Sequence, residues 1–333
     1  MITNRNLQEI EDIVKHLKAV PFDVSVAELY TAARLYQGYD PDVPASYAGC
    51  YDQEVYRHFL SEGKQTMNMK EQLARTLHDY RIHVGIQEFM AQYDSHRCVG
   101  IMGGHALLRT DEMFRKIVFL SKLLTEKGYY MISGGGPGAM EATHLGAWMA
   151  GRTEKEVDDA LGVLVAAPSF KDDEWLSTAF RVIQDYPQRD FVSLGVPTWL
   201  YGHEPATPFA THIAKFFENS IREDSILTLA FGGIIYTPGS AGTMQEIFQD
   251  AVQNHYLSFG FCSPMVFLGK RFWTEELPVY QLLEHLEEKG KYKNLLLTLT
   301  DEIDEIVVEL DKFSSNLKAA EQQECCLKCP NEI

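Results

Sequence analysis

The sequence feature that most constrains the fold of this chain is a glycine-rich turn at residues 238–246, with the sequence PGSAGTMQE. Apolar residues at 226–229 and 232–236 precede the turn and predict a buried strand, whereas the apolar residues after it recur at helical spacing. A helix that begins at this turn directs its unpaired N–H groups and the positive end of its dipole into the turn. We therefore expect an anion to bind there, with Glu246 facing another part of the same ligand.

A second turn of this kind lies at residues 133–141, with the sequence SGGGPGAME, after a short apolar run at 129–132. Three adjacent glycines lose backbone entropy on folding and add no packing, so a close approach of the backbone to a ligand explains them better. A third turn, at residues 103–105, follows the apolar run 98–102. Repeated strand–turn–helix units predict parallel βαβ units with the ligand at the carboxyl ends of the strands.

The GGG turn and the PGSAGTMQE turn together resemble the LOG family, often mislabelled as lysine decarboxylases, which carries a GGG turn and a later PGGxGTxxE motif. The resemblance covers residues 97–310 and departs at Ser240, where the family has glycine. It implies a Rossmann-like fold and hydrolysis of the N-glycosidic bond of nucleoside 5′-monophosphates. It also implies catalysis by Glu246 and an upstream arginine, here Arg222. Because the family commonly forms dimers, we expect a homo-oligomer, a dimer or larger.

We therefore predict an α/β protein with a Rossmann-like, mostly parallel sheet flanked by helices. Residues 1–95 would form a helical N-terminal region, 96–313 the nucleotide-binding catalytic domain, and 314–333 a loose polar tail. The predicted substrate is a nucleoside 5′-monophosphate, cleaved to free base and ribose 5-phosphate without a cofactor or a metal. The predicted substrate-binding residues lie in the three turns and are Gly103, Gly104, Gly134, Gly135, Gly136, Gly138, Gly239, Ser240, Ala241, Gly242 and Thr243.

Hydrophobic periodicity predicts the remaining elements. In the N-terminal region we expect helices around residues 7–17 and at 26–37, 53–62 and 67–90. In the catalytic domain we expect further strands at 161–165, 191–194, 264–268 and 295–299. The helices expected in that domain lie at 111–126, 137–150, around 209–217, at 275–288 and at 301–312.

The charge and composition of the chain indicate which kinds of molecule it can bind. The chain has 47 acidic and 30 basic residues, a formal charge of −17, which repels nucleic acid and anionic membranes over long range. No apolar run approaches the roughly 20 residues needed to span a bilayer. The six cysteines show no regular framework, and the N-terminus lacks a basic segment followed by an apolar run. We therefore expect a cytoplasmic protein that binds neither nucleic acid nor membrane.

Two alternative functions remain open. A nucleotide-binding sensor would keep the phosphate site without turnover, and Ser240 in place of glycine favours it. A nicotinamide-dependent oxidoreductase is suggested by G-x-G-x-x-A at residues 134–139, which matches the dinucleotide fingerprint. That fingerprint needs an acidic residue at the end of the following strand, whereas the acidic residues here precede the strand expected at 161–165.

Other chemistry-bearing residues have weaker patterns. Cys325, Cys326 and Cys329 lack a nearby fourth ligand for a closed zinc site. Arg109 could contact phosphate from the turn after the first strand, although an exposed arginine at a helix start is the commoner case. Four histidines near the expected ligand edge could serve catalysis, although surface or packing roles are commoner for each: His105, His203, His212 and His255.

Overall fold

The computed structural model describes residues 4–328, and their side chains from residue 11 to residue 317. Its strands are β1 Cys98–Met102, β2 Tyr130–Ser133, β3 Ser193–Gly195, β4 His212–Ile213, β5 Gly233–Tyr236, β6 Pro264–Leu268 and β7 Leu296–Thr300. They form one sheet in the order β4-β3-β2-β1-β5-β6-β7, and every neighbouring pair is parallel. The predicted α/β fold with a parallel sheet is confirmed.

Helices cover both faces of this sheet. In chain order they are α1 Asn4–Leu17, α2 Ala32–Leu35, α3 Tyr51–Ser61, α4 Met69–Met90, α5 Glu112–Glu126, α6 Ala139–Trp148, α7 Glu154–Leu164, α8 Trp175–Asp185, α9 Asn219–Leu227, α10 Ala241–Tyr256, α11 Val279–Glu288 and α12 Ile303–Lys328. Because successive side chains of a strand point to opposite faces, the buried residues fall into two clusters. One cluster includes Val99 and Ile235 with side chains of α5 and α6, and the other includes Ile234 with Val55 and Ile82 of the N-terminal region.

The order of the strands creates a crevice between β1 and β5. After β1 the chain passes through β2, β3 and β4 on one side, and it then returns to β5 on the other side of β1. Ligands of open α/β sheets bind at such a reversal, at the carboxyl ends of the strands. The turns after β1 and β5 contact each other here, since the Gly104 N–H donates to the Pro238 carbonyl oxygen at 3.0 Å.

One predicted strand is wrong because it is helical, and another is correct only in its second half. Residues 161–165 belong largely to α7, which begins at a reciprocal cap between Thr153 and Glu156 and buries one face at helical spacing. The apolar run 226–229 starts inside α9, and the strand itself is the shorter β5. Periodicity cannot separate a short buried helix from a buried strand, and in both cases the length of the apolar run was the misleading signal.

The helix expected around residues 209–217 is also wrong. Ile213 lies in β4 and pairs with Gly195 of β3, and the residues around it are irregular and mostly buried. Tyr30 of the N-terminal region forms an antiparallel bridge to Ile213, so the sheet edge is covered by that region. The helix expected at 26–37 is reduced to the single turn of α2, because residues 26–30 lead into this bridge.

The last elements differ from the prediction in their bounds. The helix expected at 275–288 is a π-helical segment, Phe272–Glu276, followed by α11. The helix expected at 301–312 continues to Lys328 as α12, so the tail expected to be loose from residue 314 is helical as far as it is described. Residues 329–333 lie outside the described part, and the domain boundaries at 95/96 and 313/314 stay predictions.

Candidate functional site

The three glycine-rich turns pack directly on one another at the carboxyl ends of the strands. A Cβ added at Gly103 would lie 2.0 Å from Thr237 Oγ1, and one at Gly138 would lie 2.4 Å from the Gly104 carbonyl oxygen. Gly138 also has a φ of +70°, which L side chains rarely adopt. The Ala139 N–H donates to the same Gly104 oxygen at 3.2 Å. Part of the glycine content therefore serves contact between the turns, and not contact with a ligand.

Arg222 lies across the second turn and reaches α10. A Cβ at Gly134 would lie 2.1 Å from Arg222 Nη2, so only glycine leaves room for the guanidinium there. Arg222 Nε donates to the Val196 carbonyl oxygen at 2.8 Å, and Nη1 lies 3.8 Å from Glu246 Oε1. Within the described residues neither Nη1 nor Nη2 donates a hydrogen bond. The structure thus brings the two predicted catalytic residues together and leaves terminal guanidinium donors available.

Glu246 is a nearly buried carboxyl group on the first turns of α10, with 8% of its surface exposed. Burial raises the pKa of Glu246 to about 7, the Arg222 guanidinium opposes this shift, and the Glu223 carboxylate adds to it. A carboxyl group with a pKa near neutrality can exchange a proton at physiological pH, as general acid–base catalysis requires.

A second carboxyl group, Asp250, lies one helical turn further along α10 and was missed by the sequence analysis. It is 2% exposed, and its Oδ2 accepts a hydrogen bond from the Tyr236 hydroxyl at 2.7 Å. Burial raises the pKa of Asp250 to about 7, against the effect of the Tyr236 hydrogen bond. Its spacing of four residues from Glu246 places both on one face of the helix, which was the available signal.

The backbone donors of the turns are not all available to a ligand. The Gly135 N–H donates to Ser133 Oγ at 3.1 Å, and the Gly104 N–H is used by the Pro238 oxygen. The first N–H groups of α10, which begins at Ala241, have no intrahelical acceptor. Ser240 is exposed, its side chain makes no capping hydrogen bond, and its φ of −125° is one that non-glycine residues adopt. The φ of Ser240 therefore does not require glycine.

Arg109 is buried within the protein, so neither sequence expectation for it holds. It is 3% exposed, and its Nη2 lies 2.5 Å from Glu141 Oε1. The same guanidinium donates to the carbonyl oxygens of Ala167 and Trp175 and to Thr178 Oγ1. Arg109 therefore joins α6, the end of α7 and α8. Each of its three guanidinium nitrogens donates a hydrogen bond within the protein.

The histidines divide between the site and the packing around it. His105 and His203 are exposed, and their Nε2 atoms lie 3.9 Å and 3.7 Å from Glu204 Oε1. Glu204 in turn lies near the second turn, 3.9 Å from a Cβ built at Gly136. A cavity of about 480 Å³ adjoins this group, lined by His203 and by aromatic side chains that include Phe170, Tyr39 and Tyr47. His212 packs on Phe89, and His255 packs on Tyr256 and Tyr292.

His144 has a structural role in holding two strands together. Its ring nitrogens bridge Ser133 Oγ of β2 and Ser193 Oγ of β3, at 2.8 Å each. Burial lowers the pKa of His144 to about 3, so the ring stays neutral. This histidine holds the start of the second turn in place. Because it is fully buried, it cannot exchange a proton with a substrate.

The dinucleotide alternative lacks its acidic residue in the observed topology as well. The strand that follows α6 is β3, and the residues after it are Val196-Pro197-Thr198. No carboxylate is present there to bind a ribose hydroxyl, which the fingerprint requires.

The described residues contain neither a cluster placed to hold a metal ion nor a helix able to span a membrane. Among the side chains described there, no group of three or more His, Cys, Asp or Glu residues is placed to hold a metal ion. The side chains of Cys325, Cys326 and Cys329 lie outside that part. No helix between residues 4 and 328 has the length and apolar character needed to cross a bilayer.

Comparisons of the sequence with known protein families and with curated proteins find no match. Solved structures with some likeness include a molybdenum cofactor binding protein from the phototrophic bacterium Rippkaea orientalis, which is 13% identical with a TM-score of 0.40, over 65% of this chain and 95% of that chain. They also include TM1055, a structural genomics target, at 16% identity and a TM-score of 0.41, over 65% of this chain and 98% of that chain. A likeness at this level says nothing about activity.

Proposed function

We propose that this protein hydrolyses the N-glycosidic bond of nucleoside 5′-monophosphates. The observation that carries the proposal is the Arg222–Glu246 pair, at 3.8 Å, beside two glycine-rich turns at the topological reversal of the sheet. An anionic group fits the first turn of α10, where unpaired N–H groups and the helix dipole meet. At the same edge, a guanidinium is suited to hold the substrate, and a carboxyl group is suited to act at the bond between the ribose and the base.

In the proposed reaction, water attacks C1′ while the bond from C1′ to the base nitrogen breaks, and the bonding electrons leave with the base. Positive charge develops on the ribose ring, as in other glycoside hydrolyses, and ionised Glu246 stabilises it or accepts a proton from the attacking water. The base takes up one proton, so the products are the free base and ribose 5-phosphate. Arg222 positions the substrate through a bidentate contact with its terminal nitrogens. No step requires a metal or a cofactor.

The sharpest test is Glu246→Gln, which keeps the size of the side chain and removes its charge. Base release from a panel of purine and pyrimidine monophosphates should fall by about 100- to 10,000-fold in kcat, the range expected for a positioned acid–base group, with little change in substrate affinity. Wild-type kcat/KM should rise with pH through about 7, because the Glu246 carboxylate of the free enzyme becomes ionised above its pKa. This rise on the acidic side of the pH profile, the acid limb, should be absent in Glu246→Gln.

A matched control is Asp224→Asn, which removes an exposed carboxylate of α9 that binds Gln249 of α10 at 3.1 Å. It should retain the kcat and the pH profile of the wild type. Near-normal turnover in folded Glu246→Gln would remove this residue from the mechanism.

The second candidate is a nucleotide-binding sensor without turnover, and Ser240 is the observation that favours it. Although the φ of Ser240 does not require glycine, its exposed hydroxyl lies where the resembled family has no side chain. Tight equilibrium binding of a nucleoside 5′-monophosphate, with no base released from any member of the panel, would support the sensor over the hydrolase.

A further inference from the structure

A carboxylate of the N-terminal region holds the backbone from which α9 begins. Asp79 of α4 is 4% exposed. Its Oδ1 accepts the Phe217 N–H at 3.0 Å, and its Oδ2 accepts the Glu218 N–H at 2.8 Å. Glu218 is the N-cap residue of α9, and its own side chain forms no capping bond. The start of α9 is therefore fixed from outside the helix, by a residue more than 130 positions earlier in the chain.

The backbone of Glu218 is hydrogen-bonded to the backbone of Arg222. The Glu218 carbonyl oxygen accepts the Arg222 N–H at 3.3 Å, in the first turn of α9. Arg222 then reaches the Val196 oxygen through Nε and Glu246 through Nη1. A shift of the Glu218 peptide would move the Arg222 backbone with it. Because the guanidinium occupies the narrow space over Gly134, a small shift is enough to misplace it.

Asp79 is itself held by a buried network. His78 Nδ1 lies 2.9 Å from Asp79 Oδ1, and since a carboxylate only accepts, this nitrogen donates. The other ring nitrogen lies 2.9 Å from the Tyr30 hydroxyl. The Tyr30 backbone pairs with Ile213 of β4 through bonds of 2.9 Å and 2.7 Å. Fully paired buried networks are rigid, so Asp79 is anchored to the sheet edge.

We propose that Asp79 is a positioning residue for the candidate site: through Glu218 it holds the Arg222 guanidinium between Gly134 and Glu246. The inference rests on the proposed function in that Arg222 is taken to bind the substrate. It gives the helical N-terminal region a part in the site, although Asp79 itself touches no substrate.

The test compares Asp79→Asn with Glu71→Gln in the full-length chain. Glu71 is a fully buried carboxylate of the same helix, and it binds Arg75, His16 and His58 without contacting α9. Both changes remove a buried charge from α4, so both should lower stability. Of the two variants, we expect only Asp79→Asn to raise the KM for the nucleoside monophosphate. The rise should be about tenfold, because one charge-assisted contact to the substrate is partly lost. Glu71→Gln should keep the wild-type KM.

The pH profile supplies a readout that instability alone would not move. The ionisable groups around Glu246 are Arg222 and Glu223 of α9, Tyr236 of β5, and Asp250 on its own helix. If Arg222 moves away, the acid limb of kcat/KM should shift to higher pH by about half a unit or more, because a nearby cation favours the ionised carboxylate. Neither KM nor the position of this limb depends on the folded fraction of the preparation.

A crystal structure of Asp79→Asn tests the inference without any activity. We expect Arg222 to have left its place over Gly134. An unchanged Arg222 in that structure, or a KM and acid limb equal to those of Glu71→Gln, would overturn the inference. If the wild type releases no base from any monophosphate, the proposed function fails instead, and the position of Arg222 in the variant still decides the role of Asp79.

Discussion

Gly134 and Gly162 show how differently two glycines constrain this molecule. A Cβ at Gly134 would lie 2.1 Å from Arg222 Nη2 and 2.6 Å from Met140 Sδ, whereas a Cβ at Gly162 in α7 would meet nothing within 4 Å. The atoms near Gly134 are the far ends of flexible side chains. A methyl group there would displace the guanidinium before it disturbed the backbone.

We therefore expect Gly134→Ala to fold and to lose substrate affinity. The KM for a nucleoside 5′-monophosphate should rise at least about tenfold, because a charge-assisted contact to the substrate is lost. The melting temperature should change little. Gly162→Ala is the matched control, with unchanged KM and a stability gain of up to about 1 kcal/mol, since alanine is the better helix former. An unchanged KM in Gly134→Ala would show that Arg222 does not bind substrate over this turn.

Single residues of the site were predictable only where a motif marked them. The spacing of PGSAGTMQE placed Glu246 at the start of a helix beside a glycine-rich turn, and the structure puts it there. Asp250 had no motif, because its burial against Tyr236 depends on a strand that the helix packs against. Arg109 was misjudged for the same reason, since its partner Glu141 lies 32 residues away.

At the scale of elements, the Arg109–Glu141 pair joins three helices behind the second turn. Arg109→Met should lower the free energy of unfolding by about 3–5 kcal/mol, because it leaves the Glu141 carboxylate buried without a partner. Urea unfolding measures this loss. The exposed Arg115–Asp158 pair, at 2.9 Å, is the control. Arg115→Met should cost less than about 1 kcal/mol. Equal losses in the two variants would show that the buried pair is no more important than a surface pair.

Elements with regular flanking signals were predictable, and those defined by distant partners were not. β1 and β6 follow from their apolar patterns, and the bounds of α4 are predicted within a few residues, although its buried face includes the polar residues Glu71, His78 and Asp79. The capping box at Thr153 and Glu156 is a helix-start signal in the sequence, whereas the apolar residues at 161–165 taken alone fit a strand equally well. β4 has two residues and exists because β3 and Tyr30 pair with it, so no local pattern could reveal it.

For the whole molecule, a buried ion pair joins the N-terminal region to the rest of the chain. Asp52 of α3 and Lys215 are both fully buried, and their charged groups lie 2.6 Å apart. Asp52 Oδ1 also accepts the Trp199 indole N–H at 3.0 Å, whereas its Oδ2 has no hydrogen-bond partner among the described residues. Because a paired buried charge becomes very costly once its partner is removed, the pair makes the two parts of the chain depend on each other.

Removing the two charges separately and together measures this dependence. Asp52→Leu should lower the free energy of unfolding by about 3–5 kcal/mol, since it leaves the Lys215 ammonium group buried and unpaired. Adding Lys215→Met removes that charge, so the double variant should recover part of the loss. It should remain below the wild type by about 1–3 kcal/mol, because the Trp199 indole N–H still lacks an acceptor. Urea unfolding of the wild type, both single variants and the double variant gives the four values. If the double variant lost as much as the two single variants combined, the ion pair would not couple the N-terminal region to the sheet.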